Sequence, residues 1–423
     1  MFYGCSSLNG TNLDNTNENI SSFTGISDWF NGATNLLNCS NFMQGCSLFN
    51  GSVHEDLFKH CTSLQNCSSF FYGCSLINGG IPRGLFDSCR STLVNTSNMF
   101  RDCVGLEGEF PVGSYEVTQG INGYELCLQS DEGALQVVSN VTDVNTQISY
   151  SIVVTISPNL ASMILPDSGY YVKATIGDII TVIEYGLLSE CTQLANTSYM
   201  FYNCQNLGRN SSIPHDLFFT SSLTKRYMNL TNVSNMFYRC AFDKAHIDEE
   251  TRLAYLCDAN FFSKCPVLTD ISNCFRALHS IPSCQIYQNM FAKQTALQNA
   301  SHVFRDIPNL TGAITQTLLM NSLGTLINAQ GMFAYTNMTS VVAGFLHGEM
   351  KNTKLMYVQG IFYNCSNLTG GSPEFWDSTI FTKLETSSSG YYGALYNCTK
   401  LGNYNTAQNI SPNWTANLGW TRY

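Results

Sequence analysis

The chain repeats one phrase, Phe-x-x-Cys, usually followed by x-x-Leu, and the spacing of that phrase narrows the folds open to it. It reads Met1-Phe2-Tyr3-Gly4-Cys5-Ser6-Ser7-Leu8 at the start. It returns around Phe71 and Cys74, Phe100, Cys103 and Leu106, Phe201, Cys204 and Leu207, Phe237 and Cys240, and Phe362, Cys365 and Leu368. Cys46 and Cys74 are 28 residues apart, Cys74 and Cys103 are 29 apart, and the interleaved Cys61 and Cys89 are again 28 apart. A fixed period of this length marks stacked units, each too small to bury a core alone. Chains of this kind work mostly by presenting surface.

Each unit carries two related half-phrases. One is Leu57-Phe58-Lys59-His60-Cys61 or Leu85-Phe86-Asp87-Ser88-Cys89, and the other is the Met-Phe-x-x-Cys phrase. The preceding residues, Val94-Asn95-Thr96-Ser97-Asn98, recur as Ala195-Asn196-Thr197-Ser198-Tyr199. Ser97 or Asn98 is placed to cap a one-turn helix beginning at Met99, with Phe100 and Cys103 sharing its inner face. Leu106 then opens a short extended stretch. The fold expected is a β-rich, leucine-rich-repeat-like solenoid of short strands alternating with one-turn helices.

Residues 111–186 break the period. Leu135 to Val138, Ile148 to Ile156 and Thr175 to Tyr185 read as strands, with turns at Gly120 to Gly123, Asp131 to Gly133 and Pro166 to Gly169. The chain therefore divides into a repeat block over 1–110, an inserted β-rich domain over 111–186, and a second repeat block over 187–423. Trp414 and Trp420 lie in a terminal stretch without the phrase, suited to capping the stack. A charged run predicts a longer helix from Asp248 to Cys257. The first phrase opens with no polar cap before it, so the first coil is expected to be covered by a neighbouring subunit or by more chain.

Composition removes several classes of function. Only 12% of the residues are charged, the net charge is −10, and no run of Lys or Arg occurs, which argues against nucleic acid. No stretch of about 18 apolar residues predicts a membrane span. The N-terminus lacks the basic-then-apolar pattern of a signal peptide. No Gly-x-Ser-x-Gly elbow, phosphate loop or His-Glu-x-x-His occurs. The acidic run Asp248, Glu249, Glu250 reads as a charged face, and Glu107 and Glu109 lack partners to complete a site. No cofactor or metal is expected, because no Cys-x-x-Cys pair is present and the histidines are scattered. The cysteines read as buried thiols filling a narrow coil, with disulfides between stacked positions as the second reading. Asn38, Asn66, Asn95, Asn196, Asn229, Asn364 and Asn397 fit the glycan acceptor triplet, yet they recur where side chains cap turns.

The hint of function is aromatic. Tyr72, Tyr202, Tyr238 and Tyr363 share one place in the phrase, next to a Phe that faces inward, so they form either an exposed binding face or a packed ladder. The phrase Asn-x-Ser-x-Met-Phe-x-x-Cys-x-x-Leu at 95–106, 196–207 and 232–240 resembles BspA-like leucine-rich repeats, closest to their mycoplasma lipoprotein-associated variant. That resemblance implies an adhesin or interaction surface, non-enzymatic and extracellular or on a cell surface, with a protein or glycan receptor. Similar repeats are at home in tail fibres, which makes a structural or receptor-binding part of a virion the alternative.

Overall fold

The computed structural model describes residues 29–110, 186–214, 217–218, 227–248, 251–347 and 354–422, with the backbone of short strands between 114 and 184. The phrase at Met1–Leu8, the turns expected at Gly120 to Gly123 and Pro166 to Gly169, Glu132 and Gly133 of the third turn, and Glu249 and Glu250 lie outside the described residues.

Asparagine sets the geometry. Asn38, Asn66, Asn95, Asn196, Asn232, Asp270, Asn299, Asn328 and Tyr357 form one column of parallel bridges, each residue paired with its equivalent in the next coil. In every member but Tyr357 the side-chain Oδ1 accepts the backbone N–H two residues on, as Asn95 does from Ser97 at 3.0 Å. A short acceptor side chain closes this turn without help from other elements, so Asn recurs at the period.

The Met-Phe phrase that follows is not a helical turn. In the coil carrying Phe100, alternate N–H groups reach across: Thr96, Asn98, Phe100 and Asp102 donate to the carbonyls of Asn196, Ser198, Met200 and Tyr202. The intervening Met99, Arg101 and Cys103 donate back three residues within the coil, to Thr96, Asn98 and Phe100. A helix would spend all of these donors internally. The path is broken by two residues per coil in the left-handed region. One column of them runs through Asn41, Ser69, Asn98, Tyr199, Asn235, Asn273 and His302, and the other through Asp102, Asn203, Arg239, Ala277, Asp306, Tyr335, Asn364 and Asn397, with φ between +54° and +63°. Asn and Asp tolerate this conformation better than other side-bearing residues. The capping role expected of Ser97 or Asn98 therefore belongs to Asn95, and Asn98 makes the bend instead.

Inside the coils the phrase makes two ladders. Phe71, Phe100, Phe201, Phe237, Phe275, Phe304, Phe333 and Phe362 stack ring on ring, with centroids 5.5 to 6.1 Å apart. Beside them the thiols of Cys103, Cys204, Cys240, Cys365 and Cys398 donate to the carbonyls of Phe71, Phe100, Phe201, Phe333 and Phe362 in the coil before, at 2.9 to 3.2 Å. Cys is thus more than a small apolar filler, because its S–H bonds one coil to the next. Thr336, at the equivalent place, donates its hydroxyl to Phe333 within its own coil. Every phrase residue named as core, from Phe71 and Cys74 to Cys365 and Leu368, is buried. The described cysteines are all buried and unbridged. Burial holds the thiols of Cys61, Cys191 and Cys365 up at about 11, which keeps them unreactive.

The Leu-Phe half-phrases do form short 3₁₀ helices, Glu55–Phe58 and Arg83–Cys89, and Gln316–Ser322 is a third. Short parallel strands complete the coils, with Ala313–Ile314, Ser340–Val341 and Thr369–Gly370 in one sheet and Glu107–Gly108 paired with Asn206–Leu207. The described residues between Asp248 and Cys257 do not form the helix expected there. His246–Ile247 and Ala254–Tyr255 pair antiparallel there, Arg252 takes φ +59°, and the Tyr255 ring stacks on Tyr287 at 3.6 Å. That tertiary contact overrides a local preference for helix.

The coil of Asn196 lies directly on the coil of Asn95, so the stack continues from the coil that ends at Phe110 to the one that follows Gly186. Phe110 is buried against Phe201 and Phe237 where the chain departs. Where it returns, the Arg90 guanidinium donates to the carbonyls of Gly186, Leu187 and Ser189 at 2.8, 3.3 and 2.7 Å. Between these points Ser114–Glu116 pairs antiparallel with Val182–Glu184, Glu125–Asp131 lies between Ala134–Val137 and Tyr170–Lys173, and Asn140–Thr142 pairs with Ser149–Ser151. At the other end Leu395 N–H donates to Trp414 O, and the buried Trp414 closes the last coil. From these columns we infer a leucine-rich-repeat-like solenoid in the two blocks.

Phe201→Ala, which empties the middle of the ring ladder, is expected to cost about 3–5 kcal/mol by chemical denaturation. Asn235→Ala should cost about 1 kcal/mol, whereas Asn235→Gly should be near neutral, because only the first strains a left-handed residue. Equal losses in the two Asn235 variants would contradict the role of the bend.

Candidate functional site

The residue after each core Phe faces away from the ring ladder, and these residues form a column of their own. Read down the coils from Tyr72 it runs Tyr72, Arg101, Tyr202, Tyr238, Arg276, Arg305, Ala334, Tyr363 and Tyr396. The four tyrosines expected as a binding face all lie in it, but they are not equivalent. Tyr72 and Tyr202 are half-buried, whereas Tyr238 is 6% and Tyr363 only 2% exposed, so those two do not offer an open face. The reason is packing between coils: the Tyr202 and Tyr238 rings stack at 4.6 Å, and so do Tyr363 and Tyr396. Burial raises the Tyr202 and Tyr363 phenols above their usual range.

Arginine is the part of this column that a search for tyrosine misses. The guanidinium of Arg101 sits over the rings of Tyr72, Tyr199 and Tyr202, at 5.1, 4.7 and 4.9 Å from their centroids. Its Nη1 also donates to Asn98 Oδ1, so the cation is held from several sides. Arg239 and Arg276 both lie against Tyr238, at 5.6 and 5.4 Å. The signal was in the sequence, since Phe100-Arg101, Phe275-Arg276 and Phe304-Arg305 put Arg where other copies put Tyr.

One end of the face is already occupied. Residues 417–422 run back from Trp414 over the coils of His302, Gly331 and Gly360. The Trp420 ring lies under the Arg305 guanidinium at 4.4 Å, edge-on to His302 and beside Tyr363. Tyr335 donates its hydroxyl to the Trp420 carbonyl, Arg305 Nη2 donates to Thr421 O at 3.3 Å, and Tyr363 donates to Asn417 Oδ1 at 2.5 Å. Gly331 and Gly360 occupy the left-handed column that carries Asn98 and Asn235 higher up, and a Cβ at Gly360 would run into the Trp420 ring. Trp420 therefore covers the face, while Trp414 closes the stack.

Below this segment a charged group is buried. Asp306 Oδ2 lies 3.2 Å from Arg305 Nε and 3.5 Å from Arg276 Nε, and its carboxylate is shut off from solvent. Burial outweighs both cations and raises the Asp306 carboxyl above its usual range. Burial, then Arg305 and Arg276, hold the neighbouring His302 imidazole down at about 3. Among the described residues no group of His, Cys, Asp and Glu is arranged to hold a metal ion. No described helix is long and apolar enough to cross a membrane. No family model, curated protein or solved structure matches the chain.

His302 stays neutral in the fold, while in the unfolded chain it takes up a proton near its ordinary value of 6.5. The unfolded state thus binds more protons as pH falls from 6.5 toward 3, and stability falls with it. The melting temperature should drop over the upper part of this window, and His302→Gln should flatten that drop. Parallel pH profiles for the two proteins would contradict the assignment.

Proposed function

We propose that the chain is a non-enzymatic recognition protein whose repeat-built face binds a protein or glycan partner at a cell surface, outside the cell. The observation that carries this reading is the open part of the column, where Arg101 is fixed over three tyrosine rings at about 5 Å on coils that hydrogen-bond to one another. Tyr and Arg are the residues that most often anchor recognition surfaces, since each offers a large contact area together with a polar group. Here they are ordered before a partner arrives, so little conformational entropy remains to be lost on binding. The likeness of the phrase to BspA-like repeats agrees with this use of the fold.

The test is a binding screen of the purified chain against immobilised glycans and extracellular proteins, with Arg101→Ala run in parallel. The reading requires at least one ligand whose affinity falls about tenfold in the variant at a temperature where both proteins are fully folded, because three cation–π contacts of about 0.5–1 kcal/mol each also lower the melting temperature of the variant. Binding indifferent to Arg101, or no ligand in either class, would contradict it.

A further inference from the structure

The last three coils differ from the earlier ones at one position. Their left-handed bends at Gly331, Gly360 and Gly393, with φ of +56°, +58° and +63°, are glycine, where the earlier coils carry Asn, Ser, Tyr or His. The three are neighbours, since Gly331 N–H donates to Gln359 O and Gly360 N–H to Tyr392 O. The left-handed conformation alone does not call for glycine here, because Asn98 and Asn235 hold it too. Space does. A Cβ at Gly360 would run into the Trp420 ring, one at Gly393 would meet Leu418 Cγ at 2.8 Å, and one at Gly331 would strike the His302 imidazole on which Trp420 packs. At about 4.8 Å per coil, the missing side chains leave a groove roughly 10 Å long, and Leu418 and Trp420 fill it.

The walls of the groove are suited to a peptide. Tyr335 and Tyr363, with Ala334, form a small apolar cluster apart from the core inside the coils, and Leu418 and Trp420 pack on it. The Arg305 guanidinium lies over the Trp420 ring at 4.4 Å. The Tyr335 hydroxyl donates to Trp420 O, and Arg305 Nη2 donates to Thr421 O at 3.3 Å. Those two contacts are to backbone carbonyls, so any extended peptide can make them. Selectivity falls to the two apolar side chains, set two residues apart.

The occupant is lightly tied. Up to Trp414 the chain is fixed to the stack by backbone, as Leu395 N–H donates to Trp414 O. Among the described residues, no backbone–backbone hydrogen bond joins residues 417–422 to the coils, and side chains alone hold them there. Asn417, Gly419, Thr421 and Arg422 are exposed. Lifting the segment would bare the buried rings of Tyr335 and Tyr363, and an apolar groove opened in this way is a place for another apolar occupant.

We propose that this groove is a peptide-binding site, that its ligand is an extended segment of a partner protein with a tryptophan two residues after another large apolar side chain, and that residues 417–422 are its tethered occupant. The site rests on the reading of this face as a recognition surface and gives the covered end of that surface a ligand class. A tethered occupant competes at an effective concentration on the order of millimolar, so a free ligand binds well only when the tethered one is weakened.

The test is fluorescence anisotropy of a labelled hexapeptide with the sequence of residues 417–422, titrated with the full chain and its variants. Trp420→Ala, which disarms the tethered copy, should bind the peptide about tenfold or more tighter than the parent. Adding Gly360→Asn, which fills the groove with the residue that the bend tolerates at Asn98 and Asn235, should remove that binding. Adding Tyr335→Phe to Trp420→Ala instead, which deletes only a hydroxyl and serves where the Gly360 variant does not fold, should weaken binding several-fold. A peptide with Ala in place of its Trp should bind about tenfold or more weaker. No binding to Trp420→Ala, equal binding by Trp420→Ala and the parent, binding unaffected by the groove variants, or equal binding of the Ala peptide would each overturn the site. If the peptide fails while Arg101→Ala still weakens another ligand, this inference falls and the recognition reading stands.

Discussion

Everything in this molecule depends on the hydrogen bonds that alternate N–H groups of one coil make to the carbonyls of the next. A coil of some 28 residues is too short to own a core, and its polar backbone would be left bare if it stood alone. Two left-handed residues per coil solve the problem. They release every second donor for its neighbour and let the others close tight turns locally. Once the coils are tied at this spacing, equivalent side chains must lie over one another. The phenylalanine stack, the thiol ladder and the outer tyrosine and arginine column are consequences of that one constraint.

The same constraint explains the composition. By composition alone, 12% charged residues and abundant Asn and Gly suggest low-complexity sequence. Here asparagine has assigned work at three places in the coil: the Asx turn at Asn95 and the left-handed bends equivalent to Asn98 and Asn203. The glycan acceptor triplets at Asn38, Asn66, Asn95 and Asn196 are at the same time the turn-forming asparagines, whose Oδ1 atoms are engaged. Cysteine is used for its weak donor, which reaches the carbonyl of the preceding coil where an alkyl group could not.

The period, the core residues and the departure of the chain near residue 110 were legible in the sequence, because repetition exposes positions that must be alike. The conformation of the phrase was not. Phe100 and Cys103 are three apart, a spacing shared by a helical turn and by the bend observed, and only the recurrence of Asn, Asp and Gly at the positions of Asn98 and Asp102 separates the two. The charged stretch after Asp248 misled for another reason, since stacking of Tyr255 on Tyr287 is a long-range contact that no local pattern contains. Of the outer column the tyrosines were legible and the arginines overlooked, although both follow the same Phe. That Tyr238 and Tyr363 are buried could not be read from their place in the phrase. It depends on which residue the neighbouring coil supplies and, for Tyr363, on Trp420 returning from the end of the chain.

The seam between the coils of Asn95 and Asn196 joins the two repeat blocks. The N–H groups of Phe100 and Asp102 are bonded to Met200 and Tyr202, far along the chain, and not to anything nearby in sequence. Native-state hydrogen exchange on peptides covering 96–103 reads this directly. If the two blocks form one continuous stack, these alternate amides exchange as slowly as those of Phe71 and Phe304 inside their blocks. Fast exchange at Phe100 and Asp102, with slow exchange on either side, would mean that the coils do not meet there and that the column is two separate pieces.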